Sequence, residues 1–376
     1  MRPRRALAVL LVVAALLAGC GGDDDAAPSA PPTDDADTAE DGASGADAGE
    51  PGDPGDPAGP AEDPATDDST EPAGGSGADG SGPAVPSEGC GSAPHGPVDT
   101  QRVDTTSDGV ERYYLVTAPE DEEPLPLVVD LHGFTEGADI HVQQSALGAY
   151  GLEQGFVTAF PNGTGSPVQW DVSGGESPDL AFIDLVIDEV TAGRCIDTSR
   201  IYATGLSMGA FMTSLLACER ADRFAAFAPV NGLQLPATCQ PSRPVPLLTF
   251  HGTSDPILLF NGGIDTSSFT GGEPGPGSSI PPADLDGEGY PATAAGWAEL
   301  QSCTDPTDAV DGPVVDRTWT CPDGAAMEFV IIEGQGHGWP GSDFARQIEG
   351  IVGPTVDGID ANERMWFFFQ RHQLPA

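Results

Sequence analysis

Ile201-Tyr202-Ala203-Thr204-Gly205-Leu206-Ser207-Met208-Gly209-Ala210 decides the fold. An apolar run leads into Gly-x-Ser-x-Gly, and a helical pattern through Leu215 and Leu216 comes after it. Gly-x-Ser-x-Gly arises easily by chance in a chain with 50 Gly, so the flanking pattern carries the inference. At a strand-to-helix elbow the serine backbone is strained and larger neighbours would clash, which is why both flanking positions are glycine. The serine hydroxyl is then lifted clear of the sheet at a helix N-terminus.

The surrounding chain repeats this alternation. Short apolar runs, each ending in glycine, occupy 125–133, 155–163, 200–205, 224–232, 245–252 and 327–334. Strands buried on both faces and joined by crossover helices read this way. Helical spacing occupies 141–154, 180–192, 209–218, 292–303 and 361–372. Residues 101–106 and 111–118 predict a hairpin around Ser107-Asp108-Gly109, at an antiparallel edge. The expected class is therefore α/β, a mostly parallel twisted sheet with helices on both faces. The stretch 261–290, dense in Gly, Pro and Ser, is expected to be a long loop.

A serine needs a base to take its proton and an acid to orient the base. In sheets with this elbow the acid and then the histidine come after the serine along the chain. His251, His337 and His372 lie downstream of Ser207. His251 precedes every candidate acid and His372 sits in an aromatic C-terminal helix, whereas His337 lies in the glycine-rich turn Gly334-Gln335-Gly336-His337-Gly338. Asp255 comes shortly after the terminal Gly252 of a strand, with Pro256 fixing the turn; Asp265, Asp284 and Asp286 belong to the long loop. Ser207, Asp255 and His337 are thus the candidate triad. Backbone N–H groups of Met208 and Phe134 are the candidate oxyanion donors. His132 reads as a core histidine satisfied by backbone. Trp170 and Trp339 fall in loops at the carboxyl ends of strands, where such sheets bind ligands, and are expected to line the substrate site.

The N-terminus carries a different message. Arg2, Arg4 and Arg5 precede an apolar run over 6–18, too short to span a bilayer. Residues 1–19 read as a signal peptide, and Leu17-Ala18-Gly19-Cys20 resembles a bacterial lipobox, which implies lipid attachment at Cys20 and export to the cell surface. Residues 20–89 contain 19 Asp or Glu between 21 and 88 and otherwise almost only Ala, Gly, Pro, Ser and Thr. Such a stretch cannot bury enough apolar surface to offset ordering and is expected to be a disordered linker. The catalytic domain is then 90–376.

The net charge of −45 and the absence of Lys exclude a phosphate backbone as partner, leaving the lipid anchor as the one expected membrane contact. Seven Cys become six once Cys20 is assigned, an even number that suits disulfides in an exported chain. Cys303 and Cys321 bracket a turn-rich insert and are the expected pair. Neither CxxC nor HExxH spacing occurs, so no metal site is expected, and a Ser-His-Asp set needs no cofactor.

His132-Gly133, Trp170-Asp171, the elbow at 205–209, His251-Gly252-Thr253-Ser254-Asp255-Pro256 and Gly336-His337-Gly338-Trp339-Pro340-Gly341 occur in order. Together they resemble the poly(3-hydroxybutyrate) depolymerase, feruloyl esterase and acetylxylan esterase group. That resemblance spans about 112–339 and implies the α/β-hydrolase fold and hydrolysis of carboxylic esters, with a small or oligomeric ester as partner. Phe134 stands where depolymerase-like members commonly have Cys, and no second folded region remains for a polymer-binding module. A small-ester hydrolase is therefore expected over a polyhydroxybutyrate depolymerase proper. A catalytically dead ligand-binding lipoprotein would have lost a triad member; a peptidase on this scaffold would add a large cap.

Overall fold

The structure, a computed structural model, describes residues 82–91, 95–175, 177–265 and 280–375. The signal peptide expected over 1–19, Cys20 and most of the linker expected over 20–89 lie outside the described residues, as does the middle of the loop 261–290. The described residues all belong to the unit Gly74–Ala376.

Among them, ten strands form one sheet. In chain order they are β1 Val98–Ser107, β2 Val110–Ala118, β3 Leu125–Leu131, β4 Val157–Pro161, β5 Ile196–Leu206, β6 Ala226–Val230, β7 Pro246–Gly252, β8 Pro306–Asp311, β9 Val314–Trp319 and β10 Ala326–Ile332. Their spatial order is β1-β2-β4-β3-β5-β6-β7-β10-β9-β8. The six predicted apolar runs are the parallel strands β4, β3, β5, β6, β7 and β10. Every residue of β4, β6 and β7 is buried, which is why they appear in the sequence as largely apolar runs. The expected hairpin is β1–β2, turning at Asp108 (φ 50°) and Gly109 (φ 79°), both in the left-handed region that such a two-residue turn requires.

Eight helices among the described residues cover the sheet: α1 Gly137–Ser145, α2 Leu147–Gln154, α3 Pro178–Gly193, α4 Met208–Glu219, α5 Tyr290–Leu300, α6 Asp343–Gln347, α7 Glu349–Val352 and α8 Ala361–Phe369. The first begins where Glu136 meets the turn after β3. α3 starts at Ser177, whose side chain accepts the Asp179 N–H, with Pro178 at the first helical position. Phe182, Ile183, Leu215 and Trp297 of α3, α4 and α5 bury against one face of the sheet. Leu147 of α2 and Met365, Trp366 and Phe369 of α8 bury against the other. Each such large apolar side chain contributes about 1.5 to 3 kcal/mol when fully buried. With the serine elbow between β5 and α4, this two-faced arrangement is the α/β-hydrolase fold.

Three expectations shift. The single helix expected over 141–154 is two, because Ala146 adopts φ 52° and breaks it. The turn-rich insert between Cys303 and Cys321 is the antiparallel hairpin β8–β9, which extends the sheet beyond β10. Packing onto the domain also begins ahead of the expected boundary at 90: Val85 N–H donates to Asp197, Ser87 N–H to Ile196 O, and Glu88–Gly91 forms a 3₁₀ turn.

Cys303–Cys321 is bonded as expected. Cys90–Cys195 and Cys218–Cys239 complete the set.

Candidate active site

Chain order and sheet order disagree around β3: β4 lies on one side of it and β5 on the other. Such a reversal leaves a crevice at the carboxyl ends of the two strands, where ligands bind in open α/β sheets. The loops after β3 and β5, which hold Phe134 and Ser207, flank that crevice.

Ser207 sits between β5 and α4 with φ 58° and ψ −114°, a backbone conformation that L-residues rarely adopt. The flanking glycines are required by contact. A Cβ on Gly209 would lie 1.9 Å from the Leu131 carbonyl oxygen, and one on Gly205 would lie 2.6 Å from it. Met208 opens α4, so its N–H is one of the donors left without a helical partner, directed toward the elbow.

Asp255 is fully buried in the turn after β7. Its Oδ1 accepts the N–H groups of Ile257 and Leu258, both at 2.8 Å, and its Oδ2 lies 2.7 Å from Nδ1 of His337. Asp255 and His337 are thus brought together from two strand ends. Among the described residues the Ser207 hydroxyl makes no hydrogen bond to His337; contacts of this kind commonly tighten only when substrate binds. What ties the serine loop to the histidine loop is Asn231. Ser207 N–H donates to Val230 O, and the next residue, Asn231, donates from Nδ2 to Gly338 O at 3.0 Å. Its Oδ1 accepts the Gly252 N–H at 3.2 Å. The Val230 carbonyl and the buried Asn231 amide together therefore join the elbow, the acid turn and the histidine loop. Gln335 adds a second brace, donating to Gly338 O and accepting from Val356 N–H. Neither was singled out from sequence; Asn231-Gly232 at a strand end looks like ordinary turn chemistry, and only its burial distinguishes it.

Three other histidines have structural partners. His251 stacks on Tyr290 at 3.6 Å and donates from Nε2 to Leu258 O; burial pushes it down to about 4, so it stays neutral behind Asp255. His372 packs on Phe368, and burial lowers it to about 3. His132 accepts the Gly163 N–H on Nε2, which puts its own proton on Nδ1, 2.7 Å from Gly133 O. Burial lowers it to about 4, in keeping with a neutral ring held by backbone. The turn after β3 is further fixed by Trp170 Nε1–H to His132 O and Thr135 N–H to Val168 O. Because Gly133 N–H goes to Glu136 and Thr135 N–H to Val168, neither is available as an oxyanion donor.

Trp170 and Trp339 occupy the expected loops but not the expected surface. They are only 2% and 1% exposed, and Trp339 Nε1–H donates to Asn362. They back the loops of Phe134 and His337 and leave little ring surface for a ligand. Phe134 and Phe211 are half-buried beside the elbow instead; Phe211 lies one turn into α4, its N–H on Ser207 O. Asp284 and Asp286, rivals of Asp255 in the sequence, lie on an exposed turn with Asp286 paired to Arg317. Among the described residues no group of three or more His, Cys, Asp or Glu side chains is arranged to hold a metal.

The chain is similar to known proteins. The family model described as "Esterase PHB depolymerase" matches residues 112–287, which include Ser207 and Asp255. Feruloyl esterase B of Piromyces equi is 30% identical over 244 residues, covering 60% of this chain and 42% of that protein, so the chain spans less than half of that relative. A protein of Aspergillus niger described as "Probable feruloyl esterase C" is 31% identical over 236 residues, covering 58% of this chain and 84% of that one. Among solved structures, an acetyl xylan esterase from Aspergillus awamori aligns with a TM-score of 0.49 at 17% identity, covering 68% of this chain and all of that one. The match to most of the Aspergillus niger protein, together with the family model, shows that the chain belongs to the esterase PHB depolymerase family.

Proposed function

We propose that the protein is a serine esterase that cleaves carboxylic esters by acyl transfer, with Ser207 as nucleophile, His337 as base and Asp255 as the acid that orients it. The observation that carries this is the Asp255–His337 contact at 2.7 Å, joined through Asn231 to a serine held at φ 58°. Asp255 favours the tautomer with its proton on Nδ1, which leaves the Nε2 lone pair to take the serine proton. Ser207 attacks the carbonyl, Met208 and Phe134 N–H groups receive the developing oxyanion, and His337 returns the proton to the departing alcohol. Water then repeats the sequence on the acyl-enzyme. Every step uses groups of this chain and no cofactor.

The substrates proposed are feruloyl, acetyl-xylan or hydroxyalkanoate esters. The names of the relatives support the first, and the half-buried rings of Phe134 and Phe211 suit an apolar acyl group. Export as a Cys20-anchored lipoprotein is proposed with it; three disulfides suit an oxidising compartment. The deciding experiment is hydrolysis of p-nitrophenyl acyl esters, methyl ferulate, acetylated xylan and hydroxybutyrate oligomers by wild type and Ser207→Ala, with mass spectrometry of the adduct left by an organophosphonate. Loss of turnover by about 10⁴-fold or more, and an adduct on Ser207, are expected. Near-normal turnover by Ser207→Ala refutes the assignment.

A further inference from the structure

A buried charged cluster lies directly beneath the turn after β3, and the acyl-transfer steps do not use it. Asp130 in β3 and His141 in α1 are fully buried, with Asp130 Oδ1 2.7 Å from His141 Nε2. The other ring nitrogen, Nδ1, lies 3.2 Å from Oε1 of Glu136. Both ring nitrogens face carboxylates, so both must carry protons and the ring is an imidazolium. The second oxygen of Glu136, Oε2, accepts the Gly133 N–H at 2.7 Å.

Gly133 has no side chain to limit its dihedrals, so its two peptide planes must be set from outside. The Glu136 carboxylate holds the plane that carries Gly133 N–H. The following plane is held at its carbonyl, since Gly133 O accepts His132 Nδ1–H at 2.7 Å and Glu136 N–H at 3.3 Å. A trans peptide is planar, with its N–H opposite its C=O, so fixing Gly133 O fixes the direction of Phe134 N–H. Glu136 therefore touches both planes on either side of the flexible residue.

Resting on the esterase assignment, we propose that Glu136 is a positioning residue for the oxyanion turn, clamping Gly133 so that Phe134 N–H is directed at the reacting carbonyl, with Asp130 and His141 holding its carboxylate in place. A carboxylate this close to a developing oxyanion would oppose it; the imidazolium between the two acids offsets that charge. The same ring lies edge-on to Trp339 at 5.9 Å, so the cluster also abuts the loop of His337.

The test compares Glu136→Gln, which keeps an oxygen for Gly133 N–H, with Glu136→Ala and Glu136→Met, which do not. The readouts are kcat and KM on p-nitrophenyl acetate, thermal midpoint, and the affinity of a boronic acid that forms a tetrahedral adduct on the serine. Glu136→Ala is expected to lose roughly 10- to 100-fold in kcat with KM changed less than about 2-fold, and boronate affinity should fall in parallel, because only the tetrahedral state uses the hole. Glu136→Gln should recover to within a few-fold of wild type. If Glu136→Ala does not fold, Gln against Met decides. A folded variant lacking the acceptor that keeps wild-type kcat, a loss confined to KM, unchanged boronate affinity, or Gln as impaired as Ala overturns the proposal. Turnover that survives Ser207→Ala would instead remove the esterase assignment itself, a separate outcome.

Discussion

Nδ1 of His337 lies 2.7 Å from Oδ2 of Asp255, whose other oxygen is already held by two backbone N–H groups. The carboxylate cannot rotate away without breaking both. Asn at 255 would keep an oxygen for Ile257 and Leu258 but turn its amide toward Nδ1, favouring the wrong tautomer. Asp255→Asn is expected to lose about 10³- to 10⁴-fold in kcat with little change in thermal midpoint. Activity within about 10-fold of wild type would show that this contact does not set the base.

Asn231 supplies a donor to one loop and an acceptor to another. Asn231→Asp retains the acceptor for Gly252 and removes the donor to Gly338; Asn231→Ala removes both. Each is expected to destabilise by about 1 to 3 kcal/mol, since buried polar groups lose partners, and to lower kcat at least about 10-fold by loosening the histidine loop. Urea unfolding and steady-state kinetics measure the two effects. Lost stability with unchanged kcat would confine Asn231 to a structural role.

The tryptophans and phenylalanines should separate cleanly. Trp339→Ala empties a buried site and is expected to cost about 3 to 5 kcal/mol, lowering turnover on acetate and feruloyl esters by the same factor. Phe211→Ala should leave p-nitrophenyl acetate nearly unaffected while raising KM for methyl ferulate about 5-fold or more, from lost apolar contact worth about 1 kcal/mol. A feruloyl-selective defect in Trp339→Ala would reverse these roles.

Buried histidines give stability two pH limbs. Burial holds His132 and His251 at about 4, below the ordinary 6.5, so their contribution is complete above 6.5 and lost as pH falls toward 4. His141 is held at about 10 by Asp130 and Glu136 against the opposing effect of burial. Its contribution is complete below 6.5 and lost as pH rises toward 10. Thermal midpoints should therefore fall on both sides of neutrality, and ¹⁵N shifts of His141 should show both nitrogens protonated at pH 8. A neutral ring at pH 8 would disprove the imidazolium.

The parallel strands and the Asp255–His337 pairing were legible because burial on both faces leaves apolar runs, and because the elbow imposes an order on the residues downstream of Ser207. The hairpin β8–β9 was hidden: every side chain of β8 is exposed, so no apolar pattern marks it, and Asp311-Gly312 was its one local signal. Ala146 gives no hint of its left-handed backbone, which splits α1 from α2. Glu136 and Asn231 were not singled out from sequence. Asn231 contacts segments distant in sequence, and the Glu136 side chain turns back onto Gly133 and His141; local spacing encodes neither. Trp170 and Trp339 were assigned to the correct loops, but spacing could not tell which side of a loop a ring occupies.

The Cys90–Cys195 bond also has a mechanical meaning. It spans a sequence separation of 105 residues and joins the chain just ahead of β1 to the residue that precedes β5. Tension applied upstream of Cys90 crosses the sulfur pair and enters the sheet at its interior. The segment between the two cysteines, including the edge strand β1, which would otherwise peel first, and its neighbour β2, is shunted out of the load path. The pull is borne instead by β5 in shear against β3 and β6, along the strand that ends at Ser207. A domain held by its N-terminus and dragged by flow would thus resist at its stiffest element rather than unravel from its rim.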